Sequence, residues 1–210
     1  MIKFKNIDVY GWETAIRGAR NPMNSWDKMD SYMETYTRCI IGPNDYKLLK
    51  NLCIAGTDHR KWMRMINVTM DVIAPLYWFK EYDTYKVGTV ANSCSTMHKI
   101  HDKKFTLDDF SHEHLNSECE DFLCDLIKFL NEYRILFNRD RGKNNDKEWW
   151  WQMIQLLPSS YNQKRTVQLN YEVLSAIYHA RKNHKLDEWR NFCLMIEDLP
   201  YSEFITGKYE

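Results

Sequence analysis

The chain has 210 residues, 44% of them hydrophobic and 28% charged, which suits one packed domain over 1–210 and excludes a disordered tract. Basic and acidic side chains both number 29, so bulk charge gives no reason to expect nucleic acid or an anionic membrane as partner. Six cysteines lack C-x-x-C spacing, no run reaches the ~18 apolar residues of a membrane span, and Met1–Lys5 has no apolar signal core, so a soluble cytoplasmic protein is expected.

Ile2–Val9 alternates weakly and reads as an edge strand. Trp12–Arg20 reads as a helix, with Ala15, Ile16 and Ala19 on one side and Arg17 and Arg20 available. Asn21–Asp30 is polar and reads as a loop. Tyr46–Ala55 is a short helix closed by Gly56. Met65–Ile73 alternates Ile66, Val68, Met70 and Val72 with Asn67, Thr69 and Asp71, the period of a half-buried strand.

Ala74–His98 is the stretch that the rest is organised around. Pro75 suits a first helical turn, where its missing N–H costs nothing. Tyr77, Trp78, Phe79 and Tyr82 follow, and after Lys86 comes a run of small polar residues from Gly88 to Thr96. This predicts an aromatic helix running into a polar loop, a form that wraps a polar ligand or simply joins two core elements.

The second half is helix-rich. Cys119–Phe137 carries a stripe of Phe122, Leu123, Leu126, Ile127, Leu130, Tyr133 and Phe137. Glu148–Leu157 bears Trp149, Trp150 and Trp151 and stops at Pro158. Tyr171–Lys182 has Asn170 as its N-cap, with Asn170, Leu174, Ile177 and Arg181 on one face. Asn170 and Arg181 then lie roughly 16 Å apart along that face. They suit the two ends of a long ligand, or a cap and a salt bridge. Leu186–Leu199 is the last predicted helix. His112, His114 and Cys119 are metal-ligand types, but no second Cys/His pair has structural-zinc spacing, and no metal is expected. Eight Trp and thirteen Tyr suit a ligand-stacking or oligomeric protein, and equally a large core.

In order, these motifs resemble the flavin-dependent thymidylate synthases (ThyX family). Ala74-Pro75 opens the match. Lys80-Glu81-Tyr82 follows, and Thr84-Tyr85-Lys86 stands where the family has Arg-His-Arg. Asn92-Ser93-Cys94-Ser95-Thr96-Met97 stands where it has Asn-Glu-x-Ser-x-Arg. His59 matches a histidine in the preceding link. Leu157-Pro158, Asn170, Tyr178-His179-Ala180-Arg181 and Glu188-Trp189 complete the series, over about residues 10–200.

The resemblance implies an α+β fold, a mixed sheet packed with helices, assembled as a homotetramer with sites at subunit interfaces. It implies C5 methylation of a pyrimidine nucleotide such as dUMP, with FAD, methylenetetrahydrofolate and NADPH, and no protein nucleophile. By position, Glu81, Lys86, Ser95 and Arg181 would hold the nucleotide. His59, Tyr85, Asn92 and Asn170 would contact the flavin.

The departures carry physical weight. Thr84 and Met97 remove two guanidinium groups from the expected phosphate site, and Lys86 is a point charge rather than a planar fork. His98, Lys99 and Arg165 are the nearby cations in sequence or motif. Two readings stand: a thymidylate synthase-like enzyme, and a diverged protein of that fold that binds or sequesters a nucleotide-like ligand.

Overall fold

The computed structural model describes residues 1–144 and 146–209. Strand β1 (Lys3–Tyr10) leads into helix α1 (Trp12–Arg20), whose limits are those the apolar period predicts. Gly11 makes the turn between them. Its φ is 100°, and a Cβ there would lie 2.1 Å from the Met65 carbonyl oxygen, so only glycine fits. A small antiparallel hairpin, β2 (Tyr32–Met33) with β3 (Cys39–Ile40), follows inside the polar connection.

Helix α2 (Pro43–Ile54) starts on proline and ends just before Gly56, whose φ is 104°. It begins earlier than the apolar pattern predicts, because Asp30 reaches in from outside. The Asp30 carboxylate accepts from the Asn44 and Asp45 N–H groups at 2.9 and 3.0 Å and so caps the first turn.

Strand β4 (Asn67–Pro75) is the alternating run, with Val68, Met70 and Val72 buried. Pro75 belongs to the strand end, and helix α3 (Leu76–Tyr82) starts one residue later than expected. The polar stretch expected as a loop contains a strand, β5 (Val90–Ser93), followed by a short helix α4 (Thr96–Lys99). Its residues are small and exposed, so backbone pairing rather than apolar alternation defines it.

Helices α5 (Ser117–Asp140) and α6 (Asp146–Leu156) come next, then β6 (Asn162–Asn170), which the sequence reading did not anticipate. Only Gln163, Val167 and Leu169 of β6 are buried, so its alternation is masked by polar residues. Yet it lies inside the four-stranded sheet, whose order is β1-β4-β6-β5. Helices α7 (Tyr171–Arg181) and α8 (Asp187–Glu197) follow, and a further helix α9 (Glu203–Thr206) comes after the one expected to be last. The mixed α+β class expected from the sequence is what forms.

Two compact units emerge. The first holds Met1, Ile73–Tyr82 and Asn92–Arg165; the second holds Ile2–Val72, Asp83–Ala91 and the chain from Thr166 onward. In the first, α5 buries Leu123, Ile127, Leu130 and Phe137 against Phe105, Phe110 and Met153. Phe122, expected on that stripe, is 74% exposed, because its position has rotated off the buried face. Asn131, buried in the same helix, is satisfied on both ends: its carbonyl accepts from Phe105 N–H and its amide donates to the carbonyls of Phe105 and Ile127.

In the second unit the core is aromatic. Trp12 meets Tyr171 edge-on at 5.3 Å between centroids, Trp62 meets Phe204 at 5.2 Å, and Trp189 meets Phe192 at 5.9 Å. Among the described residues no helix is long and apolar enough to cross a membrane.

Candidate functional site

Helix α7 of the second unit is anchored at its start. Asn170 is extended, and its side-chain carbonyl accepts from Val173 N–H at 3.0 Å, the N-cap the sequence predicts. Tyr171 N–H donates to the Ile66 carbonyl at 3.1 Å, and the Tyr171 hydroxyl donates to the Pro200 carbonyl at 2.5 Å. Glu172 takes Arg60 in a fork, with Oε2 2.8 Å from Nε and Oε1 3.2 Å from Nη2. Sequence reasoning missed this pair, since nothing local links residues so far apart.

At the other end of α7, Arg181 stands among aromatic groups. Its Nε donates to the Tyr85 hydroxyl at 2.9 Å. Its guanidinium carbon lies 5.7 Å from the Tyr85 ring centre and 4.9 Å from that of Trp189, within cation–π range. The two rings are 6.0 Å apart and inclined at 66°, so they form a corner around the guanidinium. Trp189 is 0% exposed. In sequence it is only part of a motif; its place under Arg181 is a tertiary fact.

Tyr85 sits on the segment Asp83–Ala91, which belongs to this unit. The Tyr85 carbonyl accepts from the Thr89 hydroxyl at 2.8 Å. Gly88 has φ 81°, and a Cβ there would lie 3.1 Å from Val173 Cγ2 and 3.2 Å from Asn170 Nδ2. The segment therefore touches both ends of the apolar stripe on α7: Gly88 at Asn170, Tyr85 at Arg181. Of the predicted site residues in this unit, Tyr85 and Arg181 are thus brought into contact, while Asn170 stands at the opposite end of α7. Lys86 is exposed on the same segment, and His59 is exposed in the turn after Gly56, where its N–H donates to the Gly56 carbonyl at 3.0 Å.

The first unit carries the other predicted residues. Glu81 is half-buried on α3, and Asn92 is exposed on β5. Ser95 is the N-cap of α4, its hydroxyl oxygen accepting from His98 N–H at 3.2 Å. Met97, at a family arginine position, is exposed, and its carbonyl accepts from Trp150 Nε1–H at 3.1 Å. Lys99 pairs with Asp102 at 2.8 Å. Arg165 lies 4.0 Å over the Phe79 ring, with its Nε donating to the Gln163 side-chain oxygen at 2.9 Å. Two of the cations that were to replace the missing arginines therefore have protein partners of their own.

Arg20, expected to be available on α1, is a buried structural residue. It is 4% exposed and donates to Asp45 Oδ1 at 2.6 Å and to the Lys28 carbonyl at 2.9 Å. Among the described residues no group of three or more His, Cys, Asp or Glu is arranged to hold a metal ion.

A flavin dinucleotide needs donors for a diphosphate as well as a flat surface for its ring. Tyr85 offers a ring, but its hydroxyl is joined to Arg181. The Asn170 carbonyl is engaged on the cap of α7, and Thr84 and Met97 bring no charge. The flavin contacts that the resemblance implies at Tyr85 and Asn170 are thus already engaged within the chain.

No sequence-family model and no curated protein sequence matches the chain. Solved structures do. A crystal structure of thymidylate synthase X (ThyX) from Helicobacter pylori with FAD and dUMP superposes with a TM-score of 0.66 at 15% identity, covering 97% of this chain and 94% of that one. A second structure of the flavin-dependent thymidylate synthase ThyX from Helicobacter pylori, also complexed with FAD and dUMP, gives 0.66 at 14% identity, covering 98% and 100%. At that identity the likeness carries architecture and not chemistry, and the architecture is clear: this chain has a ThyX-like fold.

Proposed function

We propose that this protein binds a pyrimidine nucleotide through Arg181 and is a diverged form of the ThyX enzymes, with thymidylate synthase activity low or lost. The observation that carries the reading is the Arg181 corner. A guanidinium offers donors in a fixed fork, which suits the carbonyl edge of a pyrimidine or a phosphate. Here that fork is held by a hydrogen bond and two rings at the end of a well-anchored helix. Holding it beforehand lowers the entropy lost on binding.

The same reading accounts for the two arginines missing from the expected phosphate site. Charge-assisted hydrogen bonds are worth ~1.5–3 kcal/mol each, so two absent arginines weaken phosphate binding on the order of a hundredfold or more. Lys86, in the same unit as Arg181, is the further cation proposed to touch the nucleotide. A second reading keeps the enzyme: flavin-dependent C5 methylation by a homotetramer, with methylenetetrahydrofolate as carbon source and NADPH as reductant. The ordered series Asn170, Arg181, Glu188-Trp189 favours it.

Calorimetric titration with dUMP, with and without FAD, tests both, followed by a tritium-release assay at pyrimidine C5. The expected result is measurable but weak dUMP binding, a tenfold or greater loss in Arg181→Ala with little change in melting temperature, and little or no tritium release. Unchanged affinity in Arg181→Ala overturns the assignment of that residue. Tight dUMP binding with robust FAD-dependent release establishes the enzyme reading instead.

A further inference from the structure

We infer that the outward face of α5 is a self-complementary interface, on which a second copy of this chain lays its own α5 in the opposite direction. The inference stands apart from the nucleotide reading; it names the surface through which copies of the chain associate.

One apolar stripe is enough to fix a helix to its own domain. Helix α5 has that stripe in Leu123, Ile127, Leu130 and Phe137, all buried. About a quarter turn round the helix it carries a second, Phe122, Leu126, Phe129, Tyr133 and Leu136. Their spacing of four, three, four and three is that of a coiled-coil seam, and the seam runs roughly 21 Å along the helix. Phe122 is 74% exposed and Phe129 39%, while Leu126, Tyr133 and Leu136 are half-buried. The Phe129 and Tyr133 rings lie 4.7 Å apart, and Tyr133 leans on Trp149 of α6 at 5.9 Å. The seam is thus backed by the core and open on its outer side, which suits a docking surface.

The charges decide the direction of what docks there. Ser117–Asp125 holds four carboxylates, Glu118, Glu120, Asp121 and Asp125, and no cation. At the far end Arg139, Arg141 and Lys143 stand against one carboxylate, Asp140, which pairs with Arg139 at 2.7 Å and with Lys143 at 3.0 Å. A copy running the same way would set the acidic start beside another acidic start. A reversed copy sets each acidic start against a basic end, twice over by symmetry. Exposed pairs such as those of Asp140 are weak enough to exchange partners. The same distribution offsets the dipole of a lone helix, so charge sets the direction of pairing while the seam supplies the reason to pair.

The seam also matches itself. Phe129 lies near the middle of α5, with Phe122 and Leu136 seven positions to either side and Leu126 and Tyr133 three and four. A two-fold axis near Phe129 sets Phe122 beside Leu136 of the second copy and Leu126 near its Tyr133, and the reverse on the other half. This self-matching, with ends of opposite charge, selects a second copy as the occupant over an unrelated helix.

Sedimentation equilibrium of the full-length protein tests the inference. The wild type is expected to be an oligomer at micromolar concentration. Phe122→Lys, with an unchanged helical circular dichroism spectrum, is expected to fall to half that mass or less, or to dissociate at least tenfold more readily. Phe122→Ala shifts the same way by a smaller amount. Two charge variants read the direction: Glu118→Lys with Asp121→Lys reverses the start of α5, and Arg139→Glu with Arg141→Glu reverses its end. Each alone is expected to dissociate more readily than the wild type, and the two mixed in equal amounts to associate again, because each then meets the opposite sign. A wild type that is monomeric at micromolar concentration overturns the inference and leaves the face to a different protein. An oligomer that Phe122→Lys leaves intact has its interface elsewhere and overturns it too. Charge variants that do not recover on mixing overturn the antiparallel arrangement. If Phe122→Lys loses its helical spectrum, Phe122→Ala and the mixing experiment decide.

Discussion

Arg20 and Asp45 place opposite charges where water is nearly excluded, at 4% and 0% exposure. The Asp45 carboxylate accepts from Arg20 Nε at 2.6 Å, from Asp30 N–H and Ser31 N–H at 2.9 Å each, and from the Ser31 hydroxyl at 2.6 Å. Burial by itself raises its pKa, but the hydrogen bonds from Ser31, Asp30 and Arg20, with the Arg20 charge, outweigh burial and hold it below the ordinary 3.8. A carboxylate whose pKa is depressed by folding contributes stability that is present above the ordinary value and lost as pH falls through its lower folded value. Asp45→Asn strands the buried guanidinium and is expected to cost about 3–5 kcal/mol near neutral pH. The cost should shrink as pH falls below about 4, where the unfolded chain takes up the proton before the folded carboxylate does, and should be gone below the lower folded value. Melting curves of both proteins across pH 2–7 check this; a difference that is constant with pH refutes it. The pair also explains why two arginines on one predicted helix have different fates. Arg17 leaves the buried face, whereas Arg20 meets a carboxylate that only the start of α2 supplies.

At the scale of elements, α7 depends on its first residue. Asn170 closes the last position of β6 and caps α7, so one side chain sets where a strand becomes a helix. Replacing it by alanine removes the acceptor for Val173 N–H and is expected to cost about 1 kcal/mol, with Asn170→Ser or Asn170→Asp recovering most of it. Denaturant unfolding with an unchanged slope and a lowered midpoint is the expected readout. An unshifted midpoint shows that the cap is dispensable. This cap was legible because an Asn before an apolar period is a local signal. Strand β6 was not, although it ends on the same residue. Its apolar positions are two among nine, and what makes it a strand is a neighbour on each side in the sheet. Strand β5 was hidden for the same reason: Val90–Ser93 has no apolar face, being exposed along its length.

At the scale of the whole molecule, apolar side chains remain on the surface of the single chain. Phe122 is 74% exposed, Ile135 58% and Trp151 46%, all in the helical first unit. Exposed aromatic and aliphatic groups on neighbouring helices suit an interface. The proposed assembly is a homotetramer, and light scattering at micromolar concentration should return the mass of four chains of 25.4 kDa. A monomer under those conditions removes the tetramer, and with it any site completed by another subunit. Zero net charge at neutral pH adds no long-range repulsion against such association.

The sequence alone determined the longer helices and the order in which they come, but not the short α4 and α9. Helix α1 forms over the predicted residues, α2, α5, α6, α7 and α8 within a few residues of their predicted ends, because helical hydrogen bonds and apolar periodicity are local. It also determined the strand β4, whose alternation is explicit, and the ordered motifs that led to the fold. Only the tertiary structure decided the rest. Tyr85 and Arg181 are 96 positions apart, and no periodicity relates them. They meet because a glycine with φ 81° lets one segment lie against α7, and because Trp189 comes back beneath the guanidinium from the next helix. Strands and sites are made of such pairings between distant residues, and their energy is realised only when the chain has already brought them together.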